Sequence, residues 1–160
     1  MSIMTDVWQT IVSEFSDIKD IHEATVVVLR LSVAALLGAA LGFERELRGK
    51  DAGLRTHILV SVGAAIFILV PVTSGMTTAD ASRVMQGIIS GIGFLGAGAI
   101  LKQTKDHAVL GLTTAASIWV AAAVGVAAGY GREATAVAST IIALFVLAVL
   151  GRFEKYKNSL

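Results

Sequence analysis

Long apolar stretches alternate with short charged segments along this chain, as in proteins that cross a membrane several times. A membrane-spanning helix needs about 20 mostly apolar residues. Five stretches satisfy that requirement, at residues 24–43, 57–76, 84–101, 109–130 and 134–151. The third is short, and the fourth is long enough to be kinked or divided near residues 117–119. The pattern predicts an all-α, polytopic membrane helix bundle of about five transmembrane helices.

The segment before the first span has a different pattern. Its apolar residues recur at helical spacing with acidic residues between them, which predicts an amphipathic helix; they are Met4, Trp8, Ile11, Val12, Phe15 and Ile18. Such a helix either lies in the outer interface of the membrane or packs on the outer ends of the spans. The predicted organisation is an amphipathic N-terminal segment at 1–23, a transmembrane domain at 24–151 and a short cytoplasmic tail at 152–160.

Composition agrees with a membrane protein. Of the 160 residues, 55% are hydrophobic and 16% are charged, whereas roughly 25% are charged in soluble domains. The chain contains no cysteine, which excludes disulfides and cysteine metal sites. The net charge of +1 gives no reason to expect a nucleic-acid partner.

The positions of the basic residues predict the orientation, because short cytoplasmic loops are enriched in lysine and arginine. Nine basic residues follow the first, third and fifth spans, and only Lys19, Arg83 and Arg132 fall on the other side. We therefore expect the N-terminus outside, the C-terminus in the cytoplasm, and the loop from Glu44 to Arg55 on the cytoplasmic side.

Small residues at four-residue spacing predict close helix contacts, since apolar helices gain little from hydrophobicity when they associate in lipid. The fifth span instead carries large apolar residues and is expected to face lipid. The glycines assigned to helix packing are Gly38, Gly42, Gly87, Gly91, Gly93, Gly96, Gly98, Gly125 and Gly129.

Three of these glycines, Gly91, Gly93 and Gly96, also match the dinucleotide-binding pattern G-x-G-x-x-G. That pattern binds nucleotide when it follows a strand and opens a soluble helix. Its position within an apolar span favours helix packing, and the alternative is a broken helix that lines a binding site, as in transporters.

Arg30 lies one or two turns inside the first span, where a charge is costly. It either extends toward the membrane surface or forms an outer polar cluster with Arg83 and Gln86. Such a cluster would favour an anion or a carboxylate partner such as Glu23.

The loop between the first two spans carries charges of both signs, more than orientation requires. A short hairpin brings its ends together, so an ion pair between Glu44 and Arg55 is feasible. Its carboxylates are ligands of the type that Mg²⁺ prefers, although the nearby bases make it a weak metal site, and the alternative is an ordinary belt of interfacial charge. The predicted hairpin site comprises Glu44, Arg45, Glu46, Lys50, Asp51, Gly53, Arg55 and Thr56.

A similar run follows the third span, and we hypothesise a parallel pseudo-repeat of two hairpins whose cytoplasmic turns meet. Chance similarity between two glycine-rich stretches is the alternative. The second hairpin comprises Lys105, Asp106, Gly111, Thr113 and Thr114.

The residues predict no enzyme and no resident cofactor. His22, His57 and His107 are dispersed without the spacing of metal ligands. No side chain is placed with a base as a nucleophile would need.

Several stretches resemble the MgtC/SapB family of bacterial inner-membrane proteins, and the similarity covers residues 25–150. They are LGFERE at 41–46, KDAGLRTHILV at 50–60, QGIISGIGFLGAGAI at 86–100 and GLTTAASIW at 111–119. The resemblance implies a multi-pass inner-membrane protein linked to growth at low Mg²⁺, to acid or phosphate stress, and in pathogens to virulence. The best-studied members bind other membrane proteins, including ATP synthase. Many members carry a cytoplasmic C-terminal domain, and this chain resembles the short branch without it.

We therefore expect a non-enzymatic regulator of ion or energy homeostasis that acts through other membrane proteins, surrounded by membrane lipids and assembled as a homo-oligomer. One alternative is a small ion or solute transporter, with a path lined by Arg30, Glu44, Arg45, Arg55 and Arg83. Another is an oligomeric membrane scaffold.

Overall fold

The computed structural model describes residues 3–101 and 110–150. In this part of the chain, helices are joined by short turns and there is no β-strand. The helices are α1 (Ile3–Glu14), α2 (Ile21–Leu47), α3 (Leu54–Thr73), α4 (Thr78–Leu101), α5 (Leu112–Gly129) and α6 (Glu133–Phe145), which continues as a π-helical turn (Val146–Leu150). Five of these segments are long and apolar enough to cross a membrane. The predicted all-α bundle with five spans is therefore confirmed.

Side-chain caps extend two spans beyond the apolar stretches. At the start of α2, Asp20 accepts a hydrogen bond from the Glu23 backbone N–H at 2.7 Å, and Glu23 accepts one from the Lys19 N–H at 3.0 Å. At the start of α4, Thr77 accepts from the Asp80 N–H at 3.2 Å. These caps satisfy N–H groups that the first turn leaves without partners. The prediction of a short third span is wrong, because capped polar residues continue the helix to 24 residues.

The fourth span is one unbroken helix, α5. The Ser117 hydroxyl, at the position where a break was considered, donates to the Thr114 carbonyl 2.8 Å away in the same helix. The polar side chain is thus satisfied without interrupting the backbone hydrogen bonds.

Helix α5 lies at the centre of the bundle and contacts α2, α3, α4 and α6. Together α2, α3 and α5 enclose a core of mostly small side chains, which lets their backbones approach closely. The buried cluster consists of Ala34, Leu41, Ala65, Ala121, Val124, Ala128 and Ala136.

Helices α4 and α6 lie at the periphery. The fifth span is largely uncovered within the bundle, with Ile141, Ile142 and Phe145 exposed. That this surface faces lipid stays a prediction. Helix α4 is even less covered. Only 6% of its most apolar 18-residue stretch is buried, compared with 11% for the last span.

Helix α1 has no buried residue. Its Trp8 and Phe15 are 66% and 84% exposed, so the alternative in which α1 packs on the ends of the spans is wrong. Its location in the membrane interface stays a prediction, as do the predicted domain bounds.

The helices alternate in direction, which gives the bundle two distinct ends. The α2–α3 loop, the start of α5 and the end of α6 share one end, called the loop end below. The α3–α4 and α5–α6 turns share the other, called the opposite end. Which side of the membrane each end faces stays a prediction.

Candidate functional site at the loop end

A buried ion-pair cluster lies at the loop end and is centred on Glu44. Its Oε2 accepts a hydrogen bond from Arg45 Nε at 2.6 Å. Its Oε1 is buried without a hydrogen bond and lies 3.2 Å from Arg48 Nε, close enough for charge attraction. The Arg45 and Glu44 side chains are only 4% and 13% exposed. One carboxylate therefore attracts two guanidinium groups in a largely dehydrated site.

Arg48 also connects this cluster to the turn that follows α6. Its Nη2 donates to the Ala148 carbonyl at 3.0 Å, and Ala148 lies in the π-helical turn that follows α6. The last carbonyls of a helix have no partner within it, and a cation near them is favourable. Arg48, which the predicted set omitted, stabilises both helix ends.

The end of α2 forms a tight turn that fixes the direction of the loop. Gly49 has φ +64°, its N–H donates to the Glu46 carbonyl at 2.9 Å, and the Lys50 N–H donates to the Arg45 carbonyl at 3.1 Å. These are the two hydrogen bonds of the Schellman motif, in which glycine takes the left-handed position without steric cost.

Glu46 closes the loop from the other side. Its Oε2 accepts from the Leu54 N–H at 2.9 Å, so it caps α3 and places a negative charge at that helix N-terminus. A Cβ atom on Gly53 would lie 2.8 Å from the same oxygen, so a larger residue there would require the Glu46 side chain to shift.

The remaining predicted loop residues do not join the buried cluster. Lys50, Asp51 and Arg55 are exposed and Thr56 is half-buried. The predicted Glu44–Arg55 ion pair is wrong, because the Glu44 carboxylate is engaged by the two arginines of its own helix.

His57 is fully buried below the loop and links α3 to α5. Its Nδ1 lies 3.0 Å from the Gly53 carbonyl, and its Nε2 lies 3.0 Å from Ser117 Oγ. The carbonyl only accepts, so Nδ1 carries a proton. The single hydrogen of the Ser117 hydroxyl then serves either the Thr114 carbonyl or the unprotonated Nε2. The sequence interpretation missed this link because His57 and Ser117 are 60 residues apart. A signal was present, since His57 and Ser61 are polar residues four apart on one face of an apolar span.

Two of the loop carboxylates have separate structural roles. Glu44 balances arginines, and Glu46 caps α3. Within residues 3–101 and 110–150, no group of three or more potential ligands is placed to hold a metal ion.

The second predicted hairpin is described only in part, since Lys105 and Asp106 lie outside the described residues. Gly111 is the residue before α5, as Gly53 is before α3. Each glycine carbonyl accepts the first hydrogen bond of the helix that follows it. Gly111 accepts from the Ala115 N–H at 2.8 Å, and Gly53 accepts from the His57 N–H at 3.2 Å. Thr114 is buried and Thr113 exposed. The pseudo-repeat stays a hypothesis.

The predicted outer cluster is wrong. Arg30 Nη1 donates to the Gly129 carbonyl at 3.1 Å, and its Nε lies 3.8 Å from Glu133. Glu133, not the proposed Glu23, is thus its carboxylate partner. Arg83 instead pairs with Asp80 at 2.7 Å.

Gln86, the third member of that cluster, is exposed on α4. The cluster fails because Arg30 faces the α5–α6 turn, whereas the other two residues lie on an uncovered surface of α4.

The predicted packing glycines divide into two groups. A Cβ on Gly38 would lie 2.7 Å from the His57 carbonyl oxygen, and one on Gly42 would lie 2.7 Å from Leu54 Cα. Gly125 and Gly129 approach the α3 backbone at Ser61 and Ala65 just as closely. These four positions hold α2 and α5 against α3.

The α4 glycines behave differently. An ideal Cβ built on Gly96 would lie 3.6 Å from the Ala115 Cβ, an ordinary van der Waals contact. The other four have open space around them and make no close helix contact within the described chain; they are Gly87, Gly91, Gly93 and Gly98. Their assignment to helix packing stays a prediction. Because α4 continues through this run, neither a nucleotide-binding turn nor a broken helix is formed.

Comparisons with known proteins agree with the resemblance. The family model described as MgtC family matches residues 31–156. The chain is 50% identical over 119 residues to Protein MgtC of Salmonella typhimurium, covering 73% of this chain and 49% of that protein. It is 40% identical over 129 residues to "Putative magnesium transporter YhiD" of Escherichia coli (strain K12), covering 76% and 59%.

A cyanobacterial relative is equally similar. Uncharacterized protein slr0014 of Synechocystis is 47% identical over 133 residues, covering 82% of this chain and 55% of that protein. No solved structure matches the chain significantly. The chain spans about half the length of these relatives. With the family match extending over most of its length, the chain belongs to the MgtC family.

Proposed function

We propose that this chain acts in Mg²⁺ handling as a non-enzymatic membrane regulator that works by contacting other membrane proteins. The name of the Escherichia coli relative, which refers to magnesium transport, supports the link to Mg²⁺. The observation that carries regulation over transport is the close packing of α2, α3 and α5.

This packing leaves no polar route along the described part of the bundle. Arg30 and the Glu44 cluster lie at opposite ends, and buried small apolar side chains fill the space between them. Buried polar side chains interrupt that apolar region, and their hydrogen bonds are made inside the bundle. Ser61 donates to the Ala34 carbonyl at 2.8 Å and Thr140 to the Ala136 carbonyl at 2.9 Å. His57 pairs with Ser117 at 3.0 Å. An ion at this depth would need to replace its hydration shell with protein ligands, and the helix contacts leave little room for them.

The residues considered for a transport path are also separated. Arg30 is bound at the α5–α6 turn, Glu44 and Arg45 pair with each other, and Arg55 and Arg83 are exposed. They lie in four different regions of the surface and interior, which favours structural roles for them.

The loop end offers a suitable contact surface. The Glu44 cluster, the Glu46 cap and the Gly49 turn hold the loop in one conformation, so a partner would not have to order it. Beside this loop, Phe43 and Leu47 are 57% and 71% exposed. Apolar side chains next to exposed charges fit a partner that is itself embedded at the membrane surface.

Two measurements on the same protein test this proposal. The purified chain is reconstituted into liposomes that contain a Mg²⁺-sensitive dye, and a strain that lacks its own copy is assayed for growth at low Mg²⁺. We expect no Mg²⁺ flux above that of empty liposomes. Leu47→Ala should impair growth, whereas Leu36→Ala, an equally exposed position on the same helix away from the loop, should not.

If the chain is a transporter, Mg²⁺ flux above that of empty liposomes is expected. Mg²⁺ flux that increases with the amount of protein and disappears in Glu44→Gln would overturn the regulatory proposal. Equal growth of the Leu47→Ala and Leu36→Ala strains would remove the loop-end surface from it.

A further inference from the structure

Helix α4 exposes polar and small residues on the side away from α3 and α5, where the large apolar residue Phe94 is also exposed. Met85, Ile88 and Ile92 line its contact with α5, and Val84 and Ile88 face α3. Residues exposed on its other side include Gln86 and Ser90. Lipid chains offer polar side chains no hydrogen bonds, so Gln86 and Ser90 would stay unsatisfied if that side of α4 met only lipid.

The outward residues form one narrow stripe. Gln86, Ser90, Gly93 and Ala97 are spaced by four, three and four residues, and all are exposed. At 3.6 residues per turn this spacing confines them to an arc of about 60°. The arc lies on the side of α4 away from α3 and α5.

The polar members of the stripe have no hydrogen-bond partner among the described residues, and their depth makes that costly. Ser90 is at the middle of α4, and Gln86 is one turn nearer the opposite end. Polar side chains at such depths in membrane helices are used for hydrogen bonds between helices. An ideal Cβ on Gly93 meets nothing within 4 Å, so another backbone can approach closely there.

We propose that this α4 stripe, defined by Gln86, Ser90, Gly93 and Ala97, is the contact surface for α4 of a second copy of the chain. Two copies inserted in the same orientation and related by a twofold axis along the membrane normal bring each residue opposite itself. An amide both donates and accepts, so Gln86 pairs with its own counterpart through two hydrogen bonds. A hydroxyl at position 90 is self-complementary for the same reason.

The charges next to the stripe permit this symmetric contact. Arg83 would approach its own counterpart, and two unbalanced guanidinium groups would repel. Each is paired with Asp80 of its own helix at 2.7 Å, which balances the charge within each copy. The proposal does not depend on the role in Mg²⁺ handling.

Cysteine crosslinking in native membranes tests the contact directly, since the chain has no cysteine of its own. Gly93→Cys and Ala97→Cys are compared with Ile142→Cys, which is exposed on α6 at a comparable depth. On catalysed oxidation we expect the two α4 variants to form a disulfide-linked dimer and the α6 variant to form several-fold less.

A second variant tests the role of the amide. Copies with two different affinity tags are co-expressed, and the fraction that co-purifies is measured. Loss of two membrane hydrogen bonds in Gln86→Leu should weaken association about eightfold. Ser139→Ala, which alters an exposed hydroxyl of α6, should leave it unchanged. Since Gln86 has no hydrogen bond inside the described chain, the monomer should fold in both variants.

Three results would overturn the proposal. The first is equal crosslinking at positions 93 and 142, as expected for random collisions. The second is unchanged or stronger association in Gln86→Leu, as expected if the stripe meets only lipid. The third is crosslinking of Gly93→Cys to a different protein in place of a second copy.

Discussion

Replacing Glu44 with glutamine tests whether the buried ion-pair cluster holds the loop end together. Glutamine keeps the shape of the side chain and removes its charge. Arg45 is only 4% exposed, so its guanidinium cannot turn toward water when its partner is neutral. Removing one partner of a buried ion pair costs about 3–5 kcal/mol. Arg48 is 24% exposed and should add little, because partly hydrated pairs contribute less.

Unfolding in mixed micelles by a denaturing detergent, followed by circular dichroism, measures this cost. Glu46→Gln is the matched control in the same loop. Its exposed side chain keeps a carbonyl oxygen that can accept from the Leu54 N–H, so the free energy of unfolding should fall by less than about 1 kcal/mol. We expect Glu44→Gln to reduce it by about 3–5 kcal/mol.

A double variant separates the charge effect from other consequences of the substitution. In an Arg45→Met background the buried cation is absent, so Glu44→Gln should cost less than about 1 kcal/mol. The reasoning would be refuted if Glu44→Gln alone matched Glu46→Gln, or if its cost were the same in both backgrounds.

Two further predictions use the same unfolding measurement. Gly125→Ala should destabilise the bundle by about 1–3 kcal/mol, because the added Cβ would overlap the α3 backbone. Gly63→Ala, with open space around it, should be neutral or stabilising. Similar losses of stability in Gly125→Ala and Gly63→Ala would contradict the packing argument. Ser117→Ala should cost about 1–3 kcal/mol by leaving His57 Nε2 buried without a partner. Ser139→Ala, an exposed serine, should cost less than about 0.5 kcal/mol, and an equal cost would show that the His57 bond contributes nothing.

The spans were predictable from sequence because each satisfies its backbone hydrogen bonds internally and must be apolar along its length. The ends of the spans were harder to predict from sequence. They depend on side-chain caps such as Thr77 and Asp20, and a count of apolar residues does not include the effect of caps. The predicted start of α4 was six residues too late for this reason.

Helix packing was predictable only where the spacing of small residues coincided with the buried face. Gly125 and Gly129 on α5 have the same spacing as Gly87 and Gly91 on α4, but only the first pair meets another backbone. Four-residue spacing places two residues on one face, and it does not say what that face meets. The surroundings of the helix decide the outcome.

The site was predictable as a region and not as a set of contacts. The mixed charges identified the loop, yet the pair Glu44–Arg48 at four-residue spacing was overlooked in favour of a pair across the hairpin. The bonds from Arg48 to Ala148 and from His57 to Ser117 join residues 100 and 60 positions apart. Distances of that kind follow from the arrangement of helices and from no local pattern.

The hydrogen bond from Arg48 to the Ala148 carbonyl has a consequence for the order in which the protein is completed. Arg48 leaves the ribosome 100 residues before its acceptor, which at ~5–20 residues per second is a delay of ~5–20 s. During that interval Glu44 can already hold both arginines, while one donor of Arg48 has only water or lipid to bind. The link between the end of α2 and the turn after α6 therefore forms only after the α2–α3 hairpin has been synthesised, and a chain that stopped before α6 would leave this Arg48 donor without the Ala148 carbonyl.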